Sequence, residues 1–480
     1  MTQMKIQEEK PFIKLFKTPR GFYLYSVNRN MVINISEEVY RYLDGKSDCD
    51  LSADAAQELE TLREENYLSS KRMKEILCSS IDSLKDELHS RMMHLCLQVT
   101  QACNLTCGYC PYANFTDGML QRNHTNRYMD FETAKKALDY FLEHSGDMSH
   151  VSVSFYGGEP LLAYDLIKQV VEYAKELFVG KELLFNITTN GTLLNDEMID
   201  FFAENEFALL FSIDGPEKIH DLNRKRADGT GSFSAAYGNF IRTYKKYLEK
   251  GNVDKISINA VLNPKNDIDE ALSLFSDRQF PQDVRVEVSP ADTMLLGKSL
   301  ESDFLFHEKF TYLFFLGQLD RLLLVDGLHY PASVRDAIEQ DEPKIEKMKH
   351  GQLSLPDAGS MGGPCVPGQR KLFVTVDGDY LPCEKVSELC DGFKIGNIDS
   401  GVDPQKAKNV MSVSALTPEQ CKNCWASQFC TLCASQCEKN GKLSGEARLC
   451  NCAEQKSLAE TAIYNYILLR ECQTIYQRGE

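Results

Sequence analysis

Three cysteines, Cys103, Cys107 and Cys110, fall within the eight residues CNLTCGYC, directly after the apolar run MHLCLQV. Thiolates in so short a run can hold three irons of a cubane, and the fourth iron is then left without a protein ligand. An iron left open in this way can take a small chelating ligand. A structural zinc loop would need a fourth nearby ligand and tetrahedral closure. The next candidate, His124, is fourteen residues beyond Cys110. Three inert buried cysteines are the remaining reading of the same residues.

A second group lies far along the chain. Of 17 cysteines, ten fall between Cys365 and Cys452: Cys365, Cys383, Cys390, Cys421, Cys424, Cys430, Cys433, Cys437, Cys450 and Cys452. Two full cubanes need eight ligands, so ten suffice, although CxxC pairs also commonly bind zinc. Cys49, Cys78, Cys96 and Cys472 stand apart, and Cys96 sits on an apolar strand where a core role is expected.

The elements that must position these residues follow a strand–helix alternation from about Met92. MHLCLQV, VSVSFY, ELLFNITT, FALLFSI, KISINAVL and DVRVEVS read as six strands, with helical spacing between several of them. Asp130 and Asn195 are expected to cap helices. Such alternation predicts a parallel sheet with right-handed crossovers and fits an open or partial barrel. In such folds chemistry sits on loops at the C-terminal ends of strands. The cysteine loop occupies one of these, and so do YGGEP (Tyr156, Gly157, Gly158, Glu159), TTNGT (Asn190) and SIDGP (Ser212, Asp214). The expected organisation is a small N-terminal unit over 1–88, with three short strands and then helices. A partial barrel over 89–300, a helical bridge over 301–361 and a Cys-rich unit over 362–480 follow. The last should contain a hairpin turning at Asp377-Gly378 and a closing helix from about Ala453 to Glu471.

A net charge of −17 argues against a general nucleic-acid role. The N-terminus lacks an apolar stretch resembling a signal peptide, and FTYLFFLGQLDRLLLV is too short and too charged to span a bilayer. A cytoplasmic protein with neither membrane nor nucleic-acid partners is expected, and there thiols stay reduced and clustered cysteines bind metals.

CNLTCGYC, with Tyr109 before the last cysteine, resembles the CxxxCxxC motif of the radical SAM superfamily. The resemblance covers about 92–290. It implies that the open iron binds S-adenosylmethionine (SAM), whose reductive cleavage yields a 5′-deoxyadenosyl radical that removes a hydrogen atom from the substrate. It further implies that Tyr156 to Glu159 bind the methionine moiety, with Glu159 accepting from its ammonium group. Asn190, Ser212 and Asp214 would bind the ribose. Arg224, in HDLNRKR, would pair with the carboxylate.

Cys365-x12-Gly378-x4-Cys383 and CKNCWASQFC resemble the SPASM extension, which holds two auxiliary 4Fe-4S clusters. The family's next cysteine would fall at position 434, which is Ala here; Cys433 is one place early and Cys437 three late. By resemblance, Cys421, Cys424, Cys430 and Cys452 (in preference to Cys450) hold the second auxiliary cluster. Cys365, Cys383 and either Cys433 or Cys437 hold the first. Cys390 completes that set, or an iron stays open for a substrate thiolate. Glu384, directly after Cys383, is either a base for substrate deprotonation or a solvated hairpin residue.

The N-terminal unit resembles, in pattern, the winged-helix-like leader-recognition module of peptide-maturation enzymes. The implied enzyme is a sactipeptide- or ranthipeptide-type maturase. It would form thioether bonds in a ribosomally made Cys-containing precursor peptide, with flavodoxin or ferredoxin as electron donor. A carbon–carbon crosslinking maturase and an anaerobic sulfatase-maturating (formylglycine-forming) enzyme are the alternatives. A non-enzymatic iron–sulfur sensor or zinc scaffold is the reading from another class.

Overall fold

The structure is a computed structural model that describes residues 10–45, 51–78, 81–110, 124–291, 304–321, 348–362 and 365–478. Cys49 and residues 301–303 and 322–347 of the expected 301–361 bridge lie outside these residues.

The first three strands are β1 (Ile13–Lys17), β2 (Phe22–Ser26) and β3 (Met31–Ile35), an antiparallel sheet in that order. Ser36 caps the next helix, Glu37–Leu43, by accepting from Val39 N, and Ser52 does the same for Ala53–Glu64. These helices cover one sheet face through Leu24, Ile35, Val39, Leu59 and Leu62. The other face packs against the far end of the chain, where Phe16, Tyr25 and Val32 join Phe429, Ile463 and Ile467. A short strand β4 (Glu75–Ile76) follows.

Six parallel strands come next: β5 (His94–Thr100), β6 (His150–Gly157), β7 (Glu182–Thr189), β8 (Ala208–Ser212), β9 (Ile256–Leu262) and β10 (Arg285–Pro290). They lie side by side in sequence order. β5 is buried along nearly its whole length, as expected of a strand covered on both faces. The crossover helices have local causes. Asp130 accepts from Thr133 N at the start of Phe131–Glu143, whose Ala134, Ala137, Leu138 and Phe141 face the core. Asn195 caps Asp196–Glu204, and Gly251, left-handed at φ 74°, ends Phe233–Lys250. A short helix not predicted from the sequence, Glu217–Asn223, precedes Arg224. It spans only two turns, too few for periodicity to reveal.

β11 (Ala358–Gly359) pairs with β4. Then β12 (Leu372–Val374) adds itself parallel to β5, and β13 (Asp379–Leu381), β14 (Gly396–Asn397) and β15 (Gly401–Val402) continue antiparallel. The Cys-rich unit thus extends the central sheet to ten strands. Its hairpin turns at Gly378 (φ 80°), where a Cβ would lie 2.7 Å from Ile398 Cδ1. The closing helix runs Cys452–Arg478. No helix among the described residues is long and apolar enough to cross a membrane.

Candidate active site

The cysteine loop leaves β5 and is pinned from two sides. Gly158 N donates to Thr100 O (2.9 Å) and Glu159 N to Ala102 O (2.8 Å). Opposite, Thr106 N donates to Lys225 O (2.7 Å) and Gly108 N to Asn223 O (3.0 Å). Gly157 (φ +142°) and Gly158 lie flush against the loop; a Cβ on them would fall 2.0 Å from Thr100 O and 2.1 Å from Ala102 O. Only glycines allow this approach.

Cys103, Cys107 and Cys110 are all half-buried in the loop. Burial pushes the Cys103 thiol up to about 12. Burial raises Cys107 to about 11, with the Arg224 charge working against it. As free thiols both would stay protonated at neutral pH, and metal coordination is what would strip those protons. Three soft sulfur donors in one loop suit an iron–sulfur cluster.

The polar residues around the loop are engaged with one another. Glu159 is buried; its Oε1 accepts from Leu161 N (3.1 Å) and Thr189 Oγ1 (2.7 Å), and its Oε2 from Asn190 N (2.8 Å). Burial nevertheless raises its carboxyl to about 7. Glu159 is therefore an enclosed brace between the end of β6 and β7. Asn190 Nδ2 donates to Asn104 Oδ1 (2.9 Å), within the cysteine loop, and Asn104 donates to Thr192 Oγ1 (2.8 Å).

Asp214 is likewise enclosed. It is fully buried, its Oδ2 accepts from Tyr109 OH, and its Oδ1 accepts from Val261 N (3.0 Å) and lies 3.0 Å from Arg224 Nε. Arg224 also lies over the Tyr109 ring, 5.4 Å from its centroid. Tyr109, Asp214 and Arg224 thus form one buried unit beside Cys107. Ser212 is half-buried at the end of β8, in register with Asn259. Tyr156 reaches the other way, its ring 6.3 Å from Phe373 of β12.

Sequence reasoning set His124 aside for its distance along the chain, yet its Nε2 lies 3.7 Å from Cys110 Sγ and its Nδ1 3.2 Å from Gln101 O. No local pattern signals this, because the two residues stand fourteen positions apart in the chain.

The C-terminal cysteines fall into two sets. Cys365 and Cys383 are raised by burial first, and both feel Cys433. Cys424 and Cys452 are raised by burial, and both feel Cys421 and Cys430. Cys433 thus interacts with Cys365 and Cys383, while Cys437 feels Cys433 and Cys430. Cys437 is buried with its Sγ 3.9 Å from Arg448 Nη1. Cys390 is buried and Cys450 exposed. Glu384 is not a solvated hairpin residue: Lys371 Nζ lies 2.9 Å from both of its oxygens. Burial opposes its ionisation, but Lys371 outweighs this and holds the carboxyl below the ordinary range.

The radical SAM superfamily model matches residues 97–276, the span that carries this loop and its braces. The chain is an enzyme that carries a radical SAM domain. Such a domain takes a 4Fe-4S cluster and SAM. The chain is 25% identical over 347 residues to a cysteine-type anaerobic sulfatase-maturating enzyme of Clostridium perfringens, across 71% of this chain and 87% of that one. It is 39% identical over 141 residues to an uncharacterized protein of Methanocaldococcus jannaschii, across 29% of this chain and 45% of that relative, less than half its length. Among solved structures, native anSMEcpe with bound AdoMet shares the fold, with a TM-score of 0.58 and 22% identity over 80% of this chain and 100% of that one.

Proposed function

We propose that this enzyme matures a ribosomally made, Cys-containing precursor peptide by joining a cysteine sulfur to a carbon atom. The observation that carries this reading is the N-terminal unit. Its sheet lies against the C-terminal Cys-rich unit, and β1 and β3 have no further strand partner among the described residues. An extended leader peptide can add itself as a strand to such an edge. We read residues 1–88 as this winged-helix-like module, 89–300 as a partial (β/α)6 barrel, 301–361 as a bridge and 362–480 as a SPASM domain.

Cys103, Cys107 and Cys110 would hold the SAM-binding cluster, which would supply the electron that splits SAM into methionine and a 5′-deoxyadenosyl radical for hydrogen abstraction. The backbone of Tyr156 to Gly158, Asn190, Ser212 and the Tyr109–Asp214–Arg224 unit would orient SAM. Cys365, Cys383 and Cys433 would hold a first auxiliary cluster, and Cys421, Cys424, Cys430 and Cys452 a second. Glu384, kept ionised by Lys371, would take the proton of the reacting thiol. For each thioether the peptide then loses one hydrogen atom, one proton and one electron. An acceptor of the iron–sulfur or flavodoxin class must take the electron.

The likeness to a cysteine-type sulfatase-maturating enzyme supports a second reading, oxidation of a protein cysteine to formylglycine. Anaerobic co-expression with a Cys-rich peptide encoded beside the gene separates the two. Loss of two hydrogens per link with cysteines that no longer alkylate is the expected result. The same loss with every cysteine alkylatable indicates carbon–carbon crosslinks. An unchanged peptide, together with loss of sulfur from a sulfatase-derived cysteine peptide, moves the assignment to formylglycine formation.

A further inference from the structure

Arg448 is the largest of the fully buried side chains, at 1% exposure. It belongs to the helix Gly445–Cys450, four residues before Cys452. Its Nη2 donates to Met361 O (2.9 Å) and approaches Cys421 Sγ at 4.0 Å, while Nη1 approaches Cys437 Sγ at 3.9 Å. Its Nε has no acceptor among the described residues. Its backbone carbonyl lies 3.7 Å from Cys452 Sγ, so Cys421 and Cys452, assigned above to one set, both meet this residue.

A buried guanidinium is costly unless an anion balances it. No carboxylate among the described residues pairs with Arg448; the only groups near it that can carry negative charge are cysteine sulfurs. Neutral thiols would leave the cation uncompensated. Thiolates committed to a metal cluster would balance it. A guanidinium is also suited to the task because it keeps its charge at any accessible pH.

We propose that Arg448 is the counter-charge of the second auxiliary cluster and sets its reduction potential, acting as a positioning and tuning residue rather than a catalytic one. The inference rests on the assignment of Cys421, Cys424, Cys430 and Cys452 as ligands. A fixed cation beside the sulfurs favours the state that carries one more electron, so its removal lowers the potential.

The test uses the full chain purified anaerobically. Iron is counted first, in wild-type protein; a count that leaves no iron for the second auxiliary set defeats the ligand assignment itself, separately from the role of Arg448. With that set loaded, R448M should lower the midpoint potential of one auxiliary signal, followed by EPR-monitored titration, by at least a tenfold change in the reduction equilibrium, about 59 mV for one electron. R448K should recover at least half of the shift, and the signal from the Cys103–Cys110 loop should not move. Coincident potentials in wild type and R448M overturn the proposal. Should R448M fail to load, R448K decides. Iron retained by the lysine variant supports a requirement for charge, and iron lost from both variants overturns it in favour of shape.

Discussion

At Gly158 a single added methyl group has nowhere to go. Its neighbour would be the Ala102 carbonyl oxygen at 2.1 Å, and because this is backbone the cysteine loop itself must shift. Gly158→Ala should therefore fold yet lose roughly tenfold or more in SAM cleavage, measured as 5′-deoxyadenosine formed under reductant, since about 1.4 kcal/mol of misplacement suffices for that. A wild-type rate would show that the close approach has no catalytic consequence. Glu159, next along, gives a pH effect of definite sign. Its carboxyl titrates near 7 in the folded chain against an ordinary 4.5. Its stabilising contribution is fully present below 4.5, and stability falls as pH rises through about 7, by about 3 kcal/mol for a gap of this size. Unfolding of wild type and Glu159→Gln at pH 5 and pH 8 should show this pH-dependent difference on top of a constant cost for the lost acceptor. A constant offset alone would refute it. The cysteine spacing and the glycine pair are legible because they lie within short stretches, whereas the pairing of Arg224 with Asp214 is not. Nor is the enclosure of Glu159 and Asp214, because the donors that saturate them, Thr189, Asn190 and Val261, come from other strands.

Among the elements, the strands of the central sheet and the caps at Asp130 and Asn195 follow from hydrophobic pattern and side-chain chemistry, and these are properties of short windows. The hairpin at Gly378 was equally visible. Its place was not, because nothing in LFVTVDGDYL encodes that β12 will lie parallel to β5, with Phe373 opposite Cys96. That junction couples the two halves of the site. Phe373 is fully buried and its ring meets Tyr156, at the start of the glycine pair. Phe373→Ala should cost about 3–5 kcal/mol as a core truncation. Thermal unfolding with parallel iron analysis is the check. The expected outcome is a lowered Tm with iron lost from the C-terminal cysteines before the Cys103–Cys110 loop. Equal loss from both would mean that the hairpin does not divide the molecule this way.

Across the whole molecule, the N-terminal sheet meets the closing helix, a contact no local reading could anticipate. Glu471 Oε1 on the closing helix accepts from both Thr18 Oγ1 and Tyr23 OH, each at 2.6 Å, and Phe16 and Tyr464 are stacked edge-on at 5.1 Å. Burial, reinforced by Glu471, raises the Tyr23 hydroxyl to about 12, so it stays a donor throughout the working pH range. Because the closing helix begins at Cys452, a leader held on the N-terminal sheet would be fixed relative to the cysteine clusters through this helix. Glu471→Ala leaves two part-buried hydroxyls without their acceptor, a loss of about 1–3 kcal/mol for each group left unpaired. If the N-terminal sheet positions the peptide, this variant should raise KM for a leader-bearing peptide several-fold while leaving turnover of a leaderless core peptide unchanged. A brace without a binding role would instead depress both peptides alike. That split distinguishes a docking surface from a structural prop, even where the Tm of the variant falls in either case.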